Sequence, residues 1–243
     1  MIRYEMFAKS YGRVLAVAGL NLEVRAGETL ALIGPNGSGK STTLKAAVGL
    51  VRPSRGRVLV AGVDVADCPL ARARLGYLPQ RVSFPEGVTA RDAMRFYGRL
   101  RGAPPDEVDR LLQRMGLADA ADRVTEGFSG GMRQRLGLAI ALLGRPGVLL
   151  LDEPSAALDP TGALLVRDLI GEIAAEGTTV LLSSHDLAEV DALADRVAIF
   201  ASGRVSAAGT IAELEVRAGA RCLEAVYRRL AEGLGPASEV RAA

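Results

Sequence analysis

A chain of 243 residues accommodates one large α/β domain or two small ones, and its 49% apolar content supports a sizeable core. No run approaches the ~20 uninterrupted apolar residues that cross a bilayer, and Met1–Glu5 opens no signal-type apolar segment, so a cytoplasmic chain is expected. A net charge of +2 is too small to mark a nucleic-acid binder, and Cys68 and Cys222, which lack metal-ligand spacing, read as free thiols.

Taken in chain order, Ile2–Ala8 and Leu20–Val24 partly alternate, as strands with one covered face do. The Ala26-Gly27 turn signal leads to Thr29–Ile33, a short apolar run that ends in a glycine-rich loop, and Ser41–Leu50 has helical character. Arg57–Ala61 and Leu75–Leu78 read as further strands. The middle changes character. Thr89–Leu100, Asp106–Met115 and Gly131–Leu143 read as helices, the first two separated by Ala103-Pro104-Pro105, with no convincing strand between Val82 and Arg145. This predicts a helical lobe inserted into an α/β core. The core pattern resumes with strand Val148–Leu151, helix Gly162–Ala175, strand Thr178–Ser183, helix Leu187–Ala194 and strand Val197–Phe200. These strands are near-continuous apolar runs, as expected of parallel strands buried on both faces and joined by right-handed crossovers. Arg221–Leu230 reads as a last short helix and Gly233–Ala243 as a frayed tail.

Three segments carry chemistry. Gly34-Pro35-Asn36-Gly37-Ser38-Gly39-Lys40-Ser41-Thr42 fits a phosphate loop between strand and helix. Its glycines let backbone N–H groups wrap phosphate, Lys40 is placed for the β- and γ-phosphates, and the Ser41 hydroxyl for Mg²⁺. Asp152-Glu153 ends the strand Val148–Leu151, at the strand end where parallel sheets hold ligands. Alone, an Asp-Glu strand end is a solvated terminus; with a phosphate loop, Asp152 becomes a Mg²⁺ ligand and Glu153 a candidate base. Ser129-Gly130-Gly131 opens a helix with a good N-cap and paired glycines, which alone means only a helix start. His185, the only histidine, follows strand Thr178–Ser183 and falls at the same sheet edge.

Together these segments resemble the nucleotide-binding subunit of an ABC transporter over about Arg3 to Leu230. The resemblance implies an α/β phosphate-loop (RecA-like) core with a mostly parallel sheet, an N-terminal antiparallel β subdomain and an inserted helical subdomain. It implies a core of about 1–81 and 146–216, a helical subdomain of about 82–145, a C-terminal helix of about 220–231 and a flexible tail over 232–243. By the same resemblance, Tyr11 stacks on adenine, and Gln80 senses Mg²⁺ and links to the membrane partner. Ser129, Gly130 and Gly131 bind the γ-phosphate of ATP held by a second copy, and Ser155–Asp159 connects the two sites, with Asp159 near the nucleotide. Phe128 and Met132 depart from the family's usual Leu-Ser-Gly-Gly-Gln, which puts in doubt only the hydrogen bond a glutamine would make at 132. The implied cofactors are ATP and Mg²⁺. The implied partners are a second copy, joined head to tail, and a separate transmembrane permease that holds the chain at the cytoplasmic face. Ser183–Val190 and Leu223–Tyr227 look exporter-like, and Gly76–Arg101 and Met132–Gly144 are similar to the ATPase of the transporter that matures nitrous oxide reductase, a copper enzyme. A soluble ABC ATPase that remodels nucleic acid or protein complexes is the alternative. It lacks the second ATPase unit, coiled coil or iron–sulfur region usual in such chains.

Overall fold

The computed structural model describes residues 1–231; the tail expected over Gly233–Ala243 lies outside them. The chain opens with a hairpin, β1 (Ile2–Tyr11) and β2 (Val14–Val24), followed by β3 (Thr29–Ile33), α1 (Lys40–Ala47), β4 (Arg55–Val60) and the two-residue β5 (Val63–Asp64). After β6 (Leu75–Leu78) come three helices, α2 (Ala90–Arg101), α3 (Pro105–Arg114) and α4 (Gly130–Leu142). The rest is β7 (Val148–Asp152), α5 (Pro160–Ala175), β8 (Thr179–Ser183), α6 (Leu187–Leu193), β9 (Arg196–Ala201), β10 (Arg204–Gly209), α7 (Ile211–Ala218) and α8 (Leu223–Ala231).

Two sheets result. One is antiparallel, in the order β2-β1-β4-β5; the other runs β10-β9-β3-β8-β7-β6 and is parallel except at its β9–β10 edge. The central strands read as unbroken apolar runs because their two faces feed two different cores. Leu30 and Leu32 of β3, Leu150 of β7 and Phe200 of β9 pack toward α1 and the antiparallel sheet. Ala31 and Ile33, Leu149 and Leu151, and Val197 and Ile199 pack toward the helices on the other side. Side chains alternate across a strand, so apolar residues are needed at every position. Tyr4 joins the layers: its hydroxyl donates to the Thr43 carbonyl of α1 at 3.0 Å, and burial pushes its pKa far up.

The three central helices follow local signals. Thr89 caps α2, its side chain accepting from the Asp92 N–H, and the helix ends at left-handed Gly102. Pro105 starts α3, where its missing N–H costs nothing. Helix α3 buries Val108, Leu111 and Leu112, each contributing about 1.5–3 kcal/mol. Helix α4 lies so close to β6 that a Cβ on Gly76 would stand 2.3 Å from the Ala141 carbonyl oxygen.

The structure adds elements the sequence reading left out. Strand β1 continues to Tyr11 and β2 begins at Val14, because the polar end of β1 pairs with the apolar start of β2 as the tip of the hairpin. Strand β10 is a small-residue edge strand paired only with β9, so it shows no alternation. Helix α7 carries a capping box in which Thr210 and Glu213 bond each other's backbone N–H, a Thr-x-x-Glu signal present in the sequence.

Candidate functional site

Strands β3, β8, β7 and β6 are consecutive neighbours and all parallel, so the loops that leave their carboxyl ends emerge side by side. Those loops carry Gly34–Gly39, Ser184–Asp186, Glu153–Asp159 and Pro79–Gln80.

The first loop is shaped by two glycines. At Gly34 (φ 153°) a Cβ would stand 2.3 Å from the Phe200 carbonyl oxygen, and at Gly39 (φ 107°) one would stand 2.6 Å from that of Ala16. Both positions need a left-handed backbone and no side chain. Gly39 then opens α1 with Lys40 as its first residue. Lys40 is 5% exposed, and its Nζ donates to the carbonyls of Gly34 at 2.7 Å and Pro35 at 3.2 Å. Burial lowers its pKa, while the charges of Glu153 and Asp152 pull it back up. The loop, Tyr11, Ala16, Gln80 and Glu153 enclose a cavity of about 360 Å³. Ser38 Oγ is buried within this loop with no hydrogen-bond partner, which suits an anion in the cradle. Tyr11 is 48% exposed, with Lys9 Nζ 5.1 Å from its ring centroid.

Asp152 is fully buried. Its Oδ1 accepts from Ser41 Oγ at 2.9 Å and Ser183 Oγ at 2.7 Å, while its Oδ2 is buried without a partner. One free carboxylate oxygen beside a hydroxyl fits a hard divalent cation. Glu153 follows in a left-handed conformation (φ 55°), and its N–H donates to the Ser183 carbonyl and Oγ, both at 3.1 Å. Its Oε2 stands 2.5 Å from His185 Nδ1; the glutamate side chain is 6% exposed and the histidine 67%. Glu153, His185 and Gln80 share a second cavity of about 370 Å³ on the other side of Asn36.

Ser129, Gly130, Gly131 and Asp159 line neither cavity. Ser129 caps α4, accepting from the Met132 N–H at 3.1 Å, and is exposed with Gly130. A Cβ on Gly130 would stand 3.8 Å from Ala157 and one on Gly131 3.3 Å from Leu158, Met132 packs against the core, and Asp159 caps α5 by accepting from the Gly162 N–H at 2.7 Å. A family profile described as ABC transporter matches residues 17–156. The chain belongs to the ABC transporter ATP-binding family. A daunorubicin resistance ATP-binding protein, DrrA3 of Streptomyces coeruleorubidus, is 40% identical over 225 residues, covering 90% of this chain and 71% of that protein. A solved ATP binding subunit of an ABC transporter superposes with a TM-score of 0.88 at 30% identity, covering 95% of this chain and 99% of that one. A dimeric bacterial ABC transporter cassette, MJ0796, gives 0.80 at 26% identity, covering 86% of this chain and 98% of that one.

Within this ABC ATPase, the structure also brings in residues the sequence reading passed over. Ser183 was only a strand end, yet its hydroxyl ties Asp152 to the Glu153 N–H. Gln134 Nε2, buried on α4, donates to the Glu153 carbonyl at 3.3 Å. Tyr227 of α8 forms a wall of the second cavity, 42 positions beyond His185 by subtraction of their numbers. No periodicity or motif signals such pairings, since each is made by side chains far apart in sequence.

Proposed function

We propose that this ATPase drives an exporter as a head-to-tail dimer docked on a transmembrane permease. The observation that carries the site assignment is Glu153, which lines both cavities and touches His185 at the mouth of the phosphate loop. Lys40 exchanges the Gly34 and Pro35 carbonyls for the β- and γ-phosphates of ATP. Tyr11 offers its exposed ring to adenine. Ser41, Asp152 and Gln80 would hold Mg²⁺, which when bound would neutralise phosphate charge. Glu153 takes a proton from water as its oxygen attacks the γ-phosphorus; ADP leaves with the bridging oxygen, and His185 orients the base. Ser129, Gly130 and Gly131, outside their own chain's cavities, face the γ-phosphate in the second copy, with Asp159 beside them at the dimer contact. The cassette spans about 1–230, with the helices of about 82–145 inserted into the core.

The resistance-protein relative supports the exporter reading rather than copper-enzyme maturation. Among the described residues no helix is long and apolar enough to cross a membrane, so the permease is a separate chain or segment. Its contact surface lies around Arg81–Arg101. There Tyr77, Arg81, Phe84 and Tyr97 line a cavity of about 310 Å³, the Tyr77 hydroxyl is buried without a partner, and Phe96 and Leu100 are 52% and 68% exposed.

Mixing two variants tests the shared site. Ser129→Arg alone is expected to bind ATP as a monomer but neither dimerise with ATP nor hydrolyse it. Mixed with Lys40→Met, each heterodimer has one intact composite site and one that carries both defects, and an ATP-dependent dimer returns in light scattering. Normal ATP-driven dimerisation and hydrolysis by Ser129→Arg alone would place the whole catalytic site within one copy.

A further inference from the structure

Glu189 is a buried carboxylate that the reading above does not use. It lies on α6, two residues past the helix start, and is 5% exposed. Ser184 Oγ donates to its Oε2 at 2.6 Å, and Ser155 Oγ donates to its Oε1. Among the described residues no lysine or arginine pairs with it. A buried carboxylate without a cation is costly, and two neutral hydroxyls compensate only part of that cost. Burial raises its pKa, Asp186 and Glu153 add like charge, and only the two hydroxyl bonds oppose them. A glutamine or an apolar residue would serve stability better at this position. The carboxylate's geometry gives it another task.

Its two partners stand on two different loops. Ser155 is in the segment that leaves β7 just after Glu153, and Ser184 immediately precedes His185 on the loop that leaves β8. Farther along the first segment, Ala157 and Leu158 lie beside the start of α4, where a Cβ on Gly130 would stand 3.8 Å from Ala157 and one on Gly131 3.3 Å from Leu158. The contacts therefore form one continuous series: Gly130–Gly131, Ala157–Leu158, Ser155, Glu189, Ser184, His185, Glu153. Resting on the proposed function, its two ends belong to different ATP sites of the dimer. The His185–Glu153 end acts on the ATP of its own chain, and the Gly130–Gly131 end faces the ATP of the partner.

We propose that Glu189 is a positioning residue that couples the two ATP sites, holding Ser155 and Ser184 so that the His185–Glu153 pair is set by the placement of Ser129–Gly131. It touches neither nucleotide nor water. The bridge joins two loops that leave adjacent parallel strands, a second side-chain link between them beside the direct Glu153–His185 contact.

The test is a set of variants in the full chain. Glu189→Ala is expected to bind ATP with unchanged affinity and KM while kcat falls about 10–100-fold, the effect of a catalytic pair displaced by a fraction of an ångström to 1 Å. Glu189→Gln, which still bonds both hydroxyls once one of them turns round to accept, restores most of that loss. Combined with His185→Ala, Glu189→Ala is expected to add almost nothing, because it acts through the same pair; a purely structural role gives additive losses. If Glu189→Ala does not fold, Ser155→Ala, which cuts one side of the bridge at a half-buried surface position, carries the same comparisons. A kcat within about threefold of wild type, full additivity with His185→Ala, or no recovery in Glu189→Gln overturns the inference while leaving the catalytic reading intact. Wild-type hydrolysis by Glu153→Gln overturns the catalytic reading itself, and the inference with it.

Discussion

Lys40→Met separates the phosphate site from the fold that holds it. The substitution keeps most of the aliphatic stem and removes the ammonium. Without nucleotide that ammonium is already satisfied by the Gly34 and Pro35 carbonyls, at 2.7 and 3.2 Å, and it is almost wholly buried. ATP binding therefore gains only the excess of phosphate contacts over carbonyl contacts. Taking that excess as one hydrogen bond between charged groups, about 1.5–3 kcal/mol, the affinity for ATP falls roughly 10–150-fold. The effect on the empty fold is much smaller. Removing a buried cation relieves its desolvation, which lowers the Lys40 pKa, but it leaves two carbonyls facing the cavity and removes a charge that favours Asp152 and Glu153. These contributions oppose one another, so stability changes by about 1 kcal/mol or less and Tm by no more than about 4 °C for a chain of this size.

Calorimetry with ATP, ADP and AMP at fixed Mg²⁺, beside a thermal melt, separates the two effects. ATP and ADP are expected to lose affinity together, while AMP, which lacks the β- and γ-phosphates, keeps its wild-type binding in ligand-observed NMR. An ATP affinity within about threefold of wild type, or an equal loss for AMP, refutes the placement of the phosphates against Lys40.

Glu153→Gln keeps the side chain's shape and removes the base, so single-turnover phosphate release is expected to slow by about 10²–10⁴ while ATP binding persists; an unchanged rate assigns the base elsewhere. Asp152→Asn retains an acceptor for Ser41 and Ser183 but loses the charge beside the unpartnered Oδ2, so half-maximal activity is expected to need more Mg²⁺, read by titration after EDTA treatment. The raised pKa of Glu189 gives a pH signature. Between its ordinary value near 4.5 and its folded value, the folded chain holds a proton the unfolded chain has released, so that contribution to stability is present below this window and lost as pH rises through it. Glu189→Gln lacks the loss, and its Tm relative to wild type is expected to rise with pH across the weakly acidic range. A constant difference removes the titration from stability.

The sequence revealed the site's strands and loops more fully than its wiring. Strands β3, β7, β8 and β9 stand out because both of their faces are buried, and Gly34–Thr42 and Asp152-Glu153 are legible because they are contiguous with those strands. Strand β10 and the first half of β2 were missed because edge pairing needs no apolar alternation. Helix α7 was missed although its Thr210–Glu213 capping box is written in the sequence. The contacts of Ser183 with Asp152, Gln134 with Glu153 and Glu189 with Ser155 depend on neighbours 31, 19 and 34 residues away, a placement only the sheet order creates.

That sheet order also explains where the molecule departs from the rules of stability. Among the described residues, five other than glycine have positive φ: Met6, Ala61, Arg145, Glu153 and Ser202. Met6 lies at a register shift in β1, Ala61 and Ser202 in the turns after β4 and β9, and Arg145 in the connection after α4, so a bulge, a turn or a connection accounts for each conformation. Glu153 begins a turn in which the Ala156 N–H donates to its carbonyl, but it alone of the five lies in the candidate site. It follows β7 directly, in a conformation that costs about 1–2 kcal/mol and that glycine would adopt freely. Within the same sheet edge lie a buried lysine, an aspartate oxygen without a partner and a glutamate without a cation. Each is destabilising alone, and each would be removed by an ordinary substitution. The lysine and the aspartate oxygen gather at the ends of β3 and β7, as a site shaped for phosphate and metal requires, while the glutamate on α6 braces the loops behind them.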